Sequence, residues 1–371
     1  MSRVDIALRV VAVAVGASLV VVAVASAIKT VVLPRASVSL VTRGVFLTVQ
    51  HLFRVFARPS LSLEKRDRRL AWYSPLGLVA TLVTWLTLTL AGFTLIFWGV
   101  ENLPLRTAFV ESGSALLTLG LTRPESLPGV SLAFVEAGIG LFLLALLITY
   151  LPSIYAAFSR RELGVTALEV RAGSPPSGQT LIWRFWALQR MEHLNGVWVE
   201  WERWFVDVEE THTSLPAVAF FRSPQPDHHW VTAAGAVLDG AAFAVSTVDI
   251  ERDVQAEFCL RAGYLCLRHI ADFYNFAHNP DPRPDDPISI TRSEWDEAVA
   301  SLEEAGVPLK ADRDQAWRDF AGWRVNYDAV LLALANLTSA PPAPWSSDRS
   351  GARPMRPRLF GGTVELPRDV R

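Results

Sequence analysis

Three long apolar runs constrain this chain more than any other feature: residues 10–28, 74–100 and about 130–151. Each is long enough to cross the hydrocarbon of a bilayer. In lipid the backbone must satisfy its own polar groups, so each run is expected to be a helix. The composition agrees. Of the 371 residues, 51% are hydrophobic and 19% charged, against about a quarter charged in an ordinary soluble domain. The net charge of −2 leaves no global basic field that would attract nucleic acid.

Lysines and arginines orient the spans. Lys29, Arg35, Arg43, Arg54, Arg58, Lys65, Arg66, Arg68 and Arg69 lie between the first two runs, whereas only Arg106 and Arg123 lie between the second and third. The first connection is therefore expected in the cytoplasm and the second outside. Arg160-Arg161 after the third run places residues 160–371 in the cytosol and the N-terminus outside. A rival reading makes residues 1–27 a cleaved signal peptide, with Arg3 and Arg9 before the apolar core and Ala25-Ser26-Ala27 as the cleavage site. It would put the nine-charge connection outside. Within that connection Arg43, Gln50, His51, Arg54 and Arg58 oppose Val45, Phe46, Val49, Phe53 and Phe56 at helical spacing, the pattern of a helix lying in the interface.

Residues 101–130 are too apolar for an ordinary exposed loop. Arg106–Leu117 carries Ala108, Phe109, Val110, Ala115, Leu116 and Leu117, enough for a helix of about 18 Å that enters a membrane without crossing it. Thr118–Thr122 then returns as an extended segment. Non-helical backbone survives at membrane depth only where protein or water satisfies it, so a re-entrant loop points to a permeation path. The simpler alternative is a loop that tucks into the headgroups.

The order of outer span, short helix, Thr-x-Gly-x segment and inner span resembles the pore domain of bacterial potassium channels. The longer resemblance, to their relatives with a helical C-terminal region, runs through "SGSALLTLGLTRP", "VEAGIGLFLLALLITYLPSIYAAFSRREL", "VRAGSPPSG" and "FFRSPQPDHHWVTAAGAVLDGAA", over roughly residues 60–250. It implies that Thr118, Leu119, Gly120 and Leu121 stand where the family's filter has Thr, Val, Gly and Tyr. Thr122 replaces the second glycine and Arg123 the usual aspartate at the filter mouth. The resemblance also implies a homotetramer in the bacterial inner (plasma) membrane and a permeant potassium or other monovalent cation, with no other cofactor. Because the filter is degenerate, it implies modest selectivity. A non-conducting membrane scaffold or sensor that keeps the pore-domain fold is the alternative.

In the inner span Gly138, Gly140 and Pro152 read either as a hinge and gate or as packing positions followed by a helix terminator. Glu136 is expected to face protein or the pore entrance rather than lipid. Beyond Arg160 the helical patterns lie at about 179–211, 229–247, 253–277, 292–305 and 312–337, with Thr291 and Glu294 as a capping box. Trp183, Phe185, Trp186, Trp198, Trp201, Trp204 and Phe205 make 179–211 an aromatic core or subunit contact. Cys259 and Cys266, about 10 Å apart on one helix, are expected as reduced core thiols. His212, His228 and His229 match no metal-ligand spacing. No nucleotide-binding or hydrolase motif occurs, and no small-molecule ligand is identifiable.

The reading is an all-α membrane protein: three transmembrane helices, a re-entrant pore helix and loop between the second and third, and an all-helical cytoplasmic domain. Its divisions are a first helix (1–29), a basic connection (30–71), a pore domain (72–158, with outer helix 74–100, pore helix and filter 106–123, inner helix 130–152), a helical domain (159–340) and a disordered Pro/Arg-rich tail (341–371). It is expected not to be an enzyme.

Overall fold

The structure is a computed structural model, and it describes residues 3–33, 39–56 and 63–349. Every regular element among them is a helix, and one isolated antiparallel bridge joins Val248 to Leu309. The chain forms two compact units: residues 1–61 with 69–156, and 62–68 with 157–371.

The first unit is built on α1 (Arg3–Val31), α2 (Leu40–Phe56) and, after α3 (Leu63–Leu70) of the second unit, on α4 (Tyr73–Val100), α5 (Leu105–Leu116) and α6 (Leu127–Ala172). Helices α1, α4 and α6 are long and apolar enough to cross a membrane. Small residues let α1 and α4 approach. A Cβ on Gly92 would stand 2.7 Å from the Gly16 carbonyl oxygen, and the buried face of α1 continues through Ala12, Val20, Ala23 and Ala27. Ser26 accepts from Trp85 Nε1 at 2.9 Å and meets Ser39 at 2.6 Å, tying α1, α4 and the start of α2 with polar bonds. Ala25-Ser26-Ala27 therefore lies inside α1, with Ser26 and Ala27 buried.

Helix α2 is amphipathic as expected, but its apolar side has a protein partner. Phe46 and Phe53 meet Tyr73 edge-on, with ring centroids 6.0 and 6.1 Å away. Arg58 lies outside the described residues.

Pro152 does not end the inner helix. Helix α6 runs through it to Ala172, because proline removes one hydrogen bond that its neighbouring turns outlast.

Among the described residues the second unit adds seven α-helices: α7 (Gly178–Ala187), α8 (Leu194–Ser214), α9 (Trp230–Ser246), α10 (Val254–Phe273), α11 (Arg292–Glu304), α12 (Arg313–Arg324) and α13 (Asp328–Thr338). The continuous pattern at 179–211 is broken between α7 and α8, where Gln189 takes a φ of +55°. The pattern at 312–337 is similarly split, by a turn at Val325–Tyr327. Apolar spacing alone does not register such breaks, since both helices bury faces in one core. That core surrounds α9, which is buried along nearly its whole length, and contains Trp198, Trp201, Trp204 and Phe205. Trp183 remains 44% exposed. Thr291 and Glu294 make the expected capping box. Cys259 and Cys266 both lie buried on α10 as free thiols, and burial pushes both thiols up from their ordinary pKa.

One ion network is buried inside this core. Arg324, fully buried, donates to Asp239 at 2.5 Å, Asp328 at 2.8 Å and the Trp345 carbonyl at 2.5 Å; Tyr327 donates to the same Asp239 oxygen at 2.8 Å. The start of the expected tail is thus part of the fold. Trp345 packs on Phe243 and Phe320, and Arg349 pairs with Glu294 at 2.5 Å. Residues 350–371 lie outside the described residues.

Candidate functional site

The segment between α4 and α6 begins at Pro104, which opens α5. Helix α5 lies against α4 and touches α6 at discrete points. Ala108 is fully buried among Phe93, Phe97, Leu132 and Ile139. One turn on, Ser112 Oγ lies 3.1 Å from the Leu90 carbonyl and 2.6 Å from Glu136 Oε1. Glu136 is fully buried, so it faces protein as expected. At the C-terminal end of α5, the Leu116 carbonyl rests on Gly140, where any Cβ would collide with it. Gly140 is thus a close-approach position; Gly138 has open space around its Cα.

These contacts measure how far α5 travels along its neighbours. Leu90 is ten residues from the end of α4, about 15 Å at the helical rise, and Gly140 is thirteen from the start of α6, about 20 Å. The polypeptide has come that far back along both long helices before it turns.

The turn differs from the expected extended strand. Leu119 N–H donates to the Ser114 carbonyl at 2.8 Å and Thr118 N–H to the Ala115 carbonyl at 3.1 Å. With Thr118 at φ +52°, this pair of bonds closes α5 in a Schellman motif. Such a position usually holds glycine; here it holds a β-branched residue, for which a left-handed conformation is an outlier. Gly120 follows at φ +68°. Ser114 Oγ then accepts from Leu121 N–H at 2.9 Å and Thr122 N–H at 3.2 Å. The backbone donors of the segment are therefore turned toward α5.

The side chains point the other way. Leu119 is 56% and Leu121 71% exposed, and Thr118, Thr122 and Arg123 are exposed as well. Arg123 forms no ion pair among the described residues. Gly138 and Pro152 sit on α6 away from this turn, so Gly140 alone of the three inner-helix positions meets it. Ser112 and Ser114 are the residues that sequence reasoning passed over. Their signal was weak: two serines two apart, on different faces of a short helix, look like ordinary polar punctuation.

In the second unit His212 and His229 are buried beside Trp230. His229 caps α9 by accepting from Val231 N–H, and His228 Nε2 lies 3.0 Å from Glu169. Compared with protein-family models, with curated proteins and with solved structures, the chain matches none.

Proposed function

We propose that this chain is a potassium-channel-like pore subunit that conducts monovalent cations as a homotetramer, with a degenerate filter at Thr118–Leu121. The observation that carries the reading is the depth of α5. Its C-terminal end lies about 15–20 Å along both long helices, at a level where irregular backbone requires protein or water around it. The exposed Thr118–Arg123 segment supplies that backbone, and the negative end of the α5 dipole favours a cation there. One chain contributes one such segment, so a closed ring requires symmetric copies. The apolar side chains left exposed on α6, among them Phe134, Leu141 and Ile148, are consistent with neighbours or lipid around it. The basic connection before α4 orients the chain with its N-terminus outside and residues 160–371 in the cytosol of a bacterial inner membrane. A reporter fused after residue 170 checks this, since activity only outside the cytosol reverses it.

The test is cation flux into liposomes that contain the purified protein. Parent protein is expected to pass potassium with modest preference over sodium, because Thr122 and Arg123 remove the outer carbonyl layers. Gly120→Ala is expected to abolish flux, since its φ of +68° disfavours a Cβ even though the surrounding space is open. Cross-linking is expected to stop at four chains. A well-folded protein with no flux, or with flux unchanged in Gly120→Ala, would sink the pore reading.

The alternative, a non-conducting membrane scaffold or sensor, is favoured by one observation. The N–H groups of Leu119, Leu121 and Thr122 are tied to Ser114, and that of Thr118 to Ala115, in a helix-capping turn, which is not an extended carbonyl ladder.

A further inference from the structure

We propose that a cavity among α7, α9 and α11 binds a small organic cation carrying an amine or guanidinium group. The cavity has a volume of about 330 Å³, within the range of small-molecule sites. It exists because α7 and α9 cross at two glycines: a Cβ on Gly178 would stand 2.7 Å from the Asp239 carbonyl carbon. That contact brings the first turn of α7 over the Asp239 side chain and makes this carboxylate part of the cavity wall.

The charges around the cavity decide what it accepts. Four carboxylates line it (Asp239, Glu294, Glu297 and Asp348) and one cation, Arg349. Two carboxylates are spent inside the protein. Glu294 holds Arg349, which pushes its pKa down to about 2, so the two charges persist and cancel. Asp348 accepts from the Trp345 and Ser346 N–H groups at 3.3 and 3.1 Å. The other two differ: Glu297 is unpaired, whereas the charge of Asp239 is already paired with Arg324. Glu297 forms no hydrogen bond or ion pair among the described residues and is exposed at the rim. Asp239 is 3% exposed, and its Oδ1 alone takes the bonds from Arg324 and Tyr327. Its Oδ2 is left without a protein donor.

That oxygen opens on the cavity, where water or a ligand's donor reaches it. An amine or guanidinium supplies both the donor and the opposite charge, and Trp345 offers an aromatic wall that suits a cation. The first turn of α7 also lines the cavity and favours anions. Its partial charge is small beside four lining carboxylates that share one lining arginine, and a dianion is therefore excluded.

Calorimetric titration of the full chain in detergent micelles tests this independently of any ion flux. Agmatine is expected to bind, 4-guanidinobutyrate (a carboxylate in place of the amine) more weakly, and glutarate not at all. Glu297→Gln is expected to weaken agmatine about two- to fivefold with its melting temperature unchanged, the effect of one partly exposed charge. Asp239→Asn is expected to abolish binding. Should Asp239→Asn fail to fold, the Glu297→Gln result and the order of the three ligands decide the matter. No heat with agmatine at millimolar concentration, equal binding by parent and Glu297→Gln, or tighter binding of glutarate would each overturn the proposal.

Discussion

Thr118 carries a left-handed backbone that glycine adopts without cost. Thr118→Gly should therefore raise the thermal stability of the folded protein, by about 1 kcal/mol for relief of one strained residue. If Thr118 lines the ion path, the same change should lower cation flux, because relief of the strain favours the capping turn over an extended carbonyl ladder. Stability and flux measured on one preparation separate the effects; a variant that gains both would show that the strain has no functional purpose. Arg123 belongs to the same scale. Exposed and without an ion pair among the described residues, it repels cations over roughly a Debye length, about 10 Å at 0.1 M salt and three times that at 0.01 M. Arg123→Asp should raise flux, and the ratio to parent protein should grow as the salt is diluted.

Helix pairing shows how one position can govern an element. The α1–α4 contact passes through Gly16 and Gly92, where each backbone oxygen occupies the space a side chain would need. Gly16→Leu should separate the two helices locally and cost about 1–3 kcal/mol, the usual range for overpacking. Gly44, with nothing within 4 Å of a built Cβ, is the matched control, and Gly44→Ala should leave the melting curve in place. Helix α6 makes the complementary point. Pro152 is a strong local signal for an end, yet the element continues to Ala172 because Val165, Leu168 and Ala172 are buried in the core of the second unit. Packing of one face outweighs a single missing hydrogen bond.

For the molecule as a whole, pH is the sharpest probe of the buried centre around His212 and His229. Burial lowers the pKa of both imidazoles, reinforced at His212 by Arg161 and at His229 by Arg222, Arg161 and His212. The Val231 N–H bond to His229 Nδ1 also requires an unprotonated nitrogen. Above about pH 6.5 the folded and unfolded states are both neutral at these sites, and neither histidine affects stability. Below it the unfolded chain takes up protons that the folded one refuses. Stability should then fall by about 1.4 kcal/mol per pH unit for each histidine, continuing down to the depressed folded values. Chemical denaturation between pH 7 and pH 5 reads this slope, and His212→Gln should reduce it by about half. A flat profile would mean that the imidazoles reach water.

The sequence by itself determined the helices and their class. Apolar runs of membrane length, helical periodicity and the Thr291–Glu294 cap are local signals, and local hydrogen bonding realises them wherever the rest of the chain goes. The depth of Glu136 was legible for a similar reason, since a carboxylate in an apolar run has few acceptable surroundings. Tertiary structure alone decided where local preferences compete. It split 179–211 and 312–337, carried α6 past Pro152, folded 341–349 onto the core and turned the Thr118–Thr122 segment back onto Ser114. It also left one oxygen of Asp239 open to a cavity, which depends on Arg324 and Tyr327, more than eighty residues away, both reaching the other oxygen. No window of sequence contains that arrangement, because the groups that settle it meet only when distant helices pack.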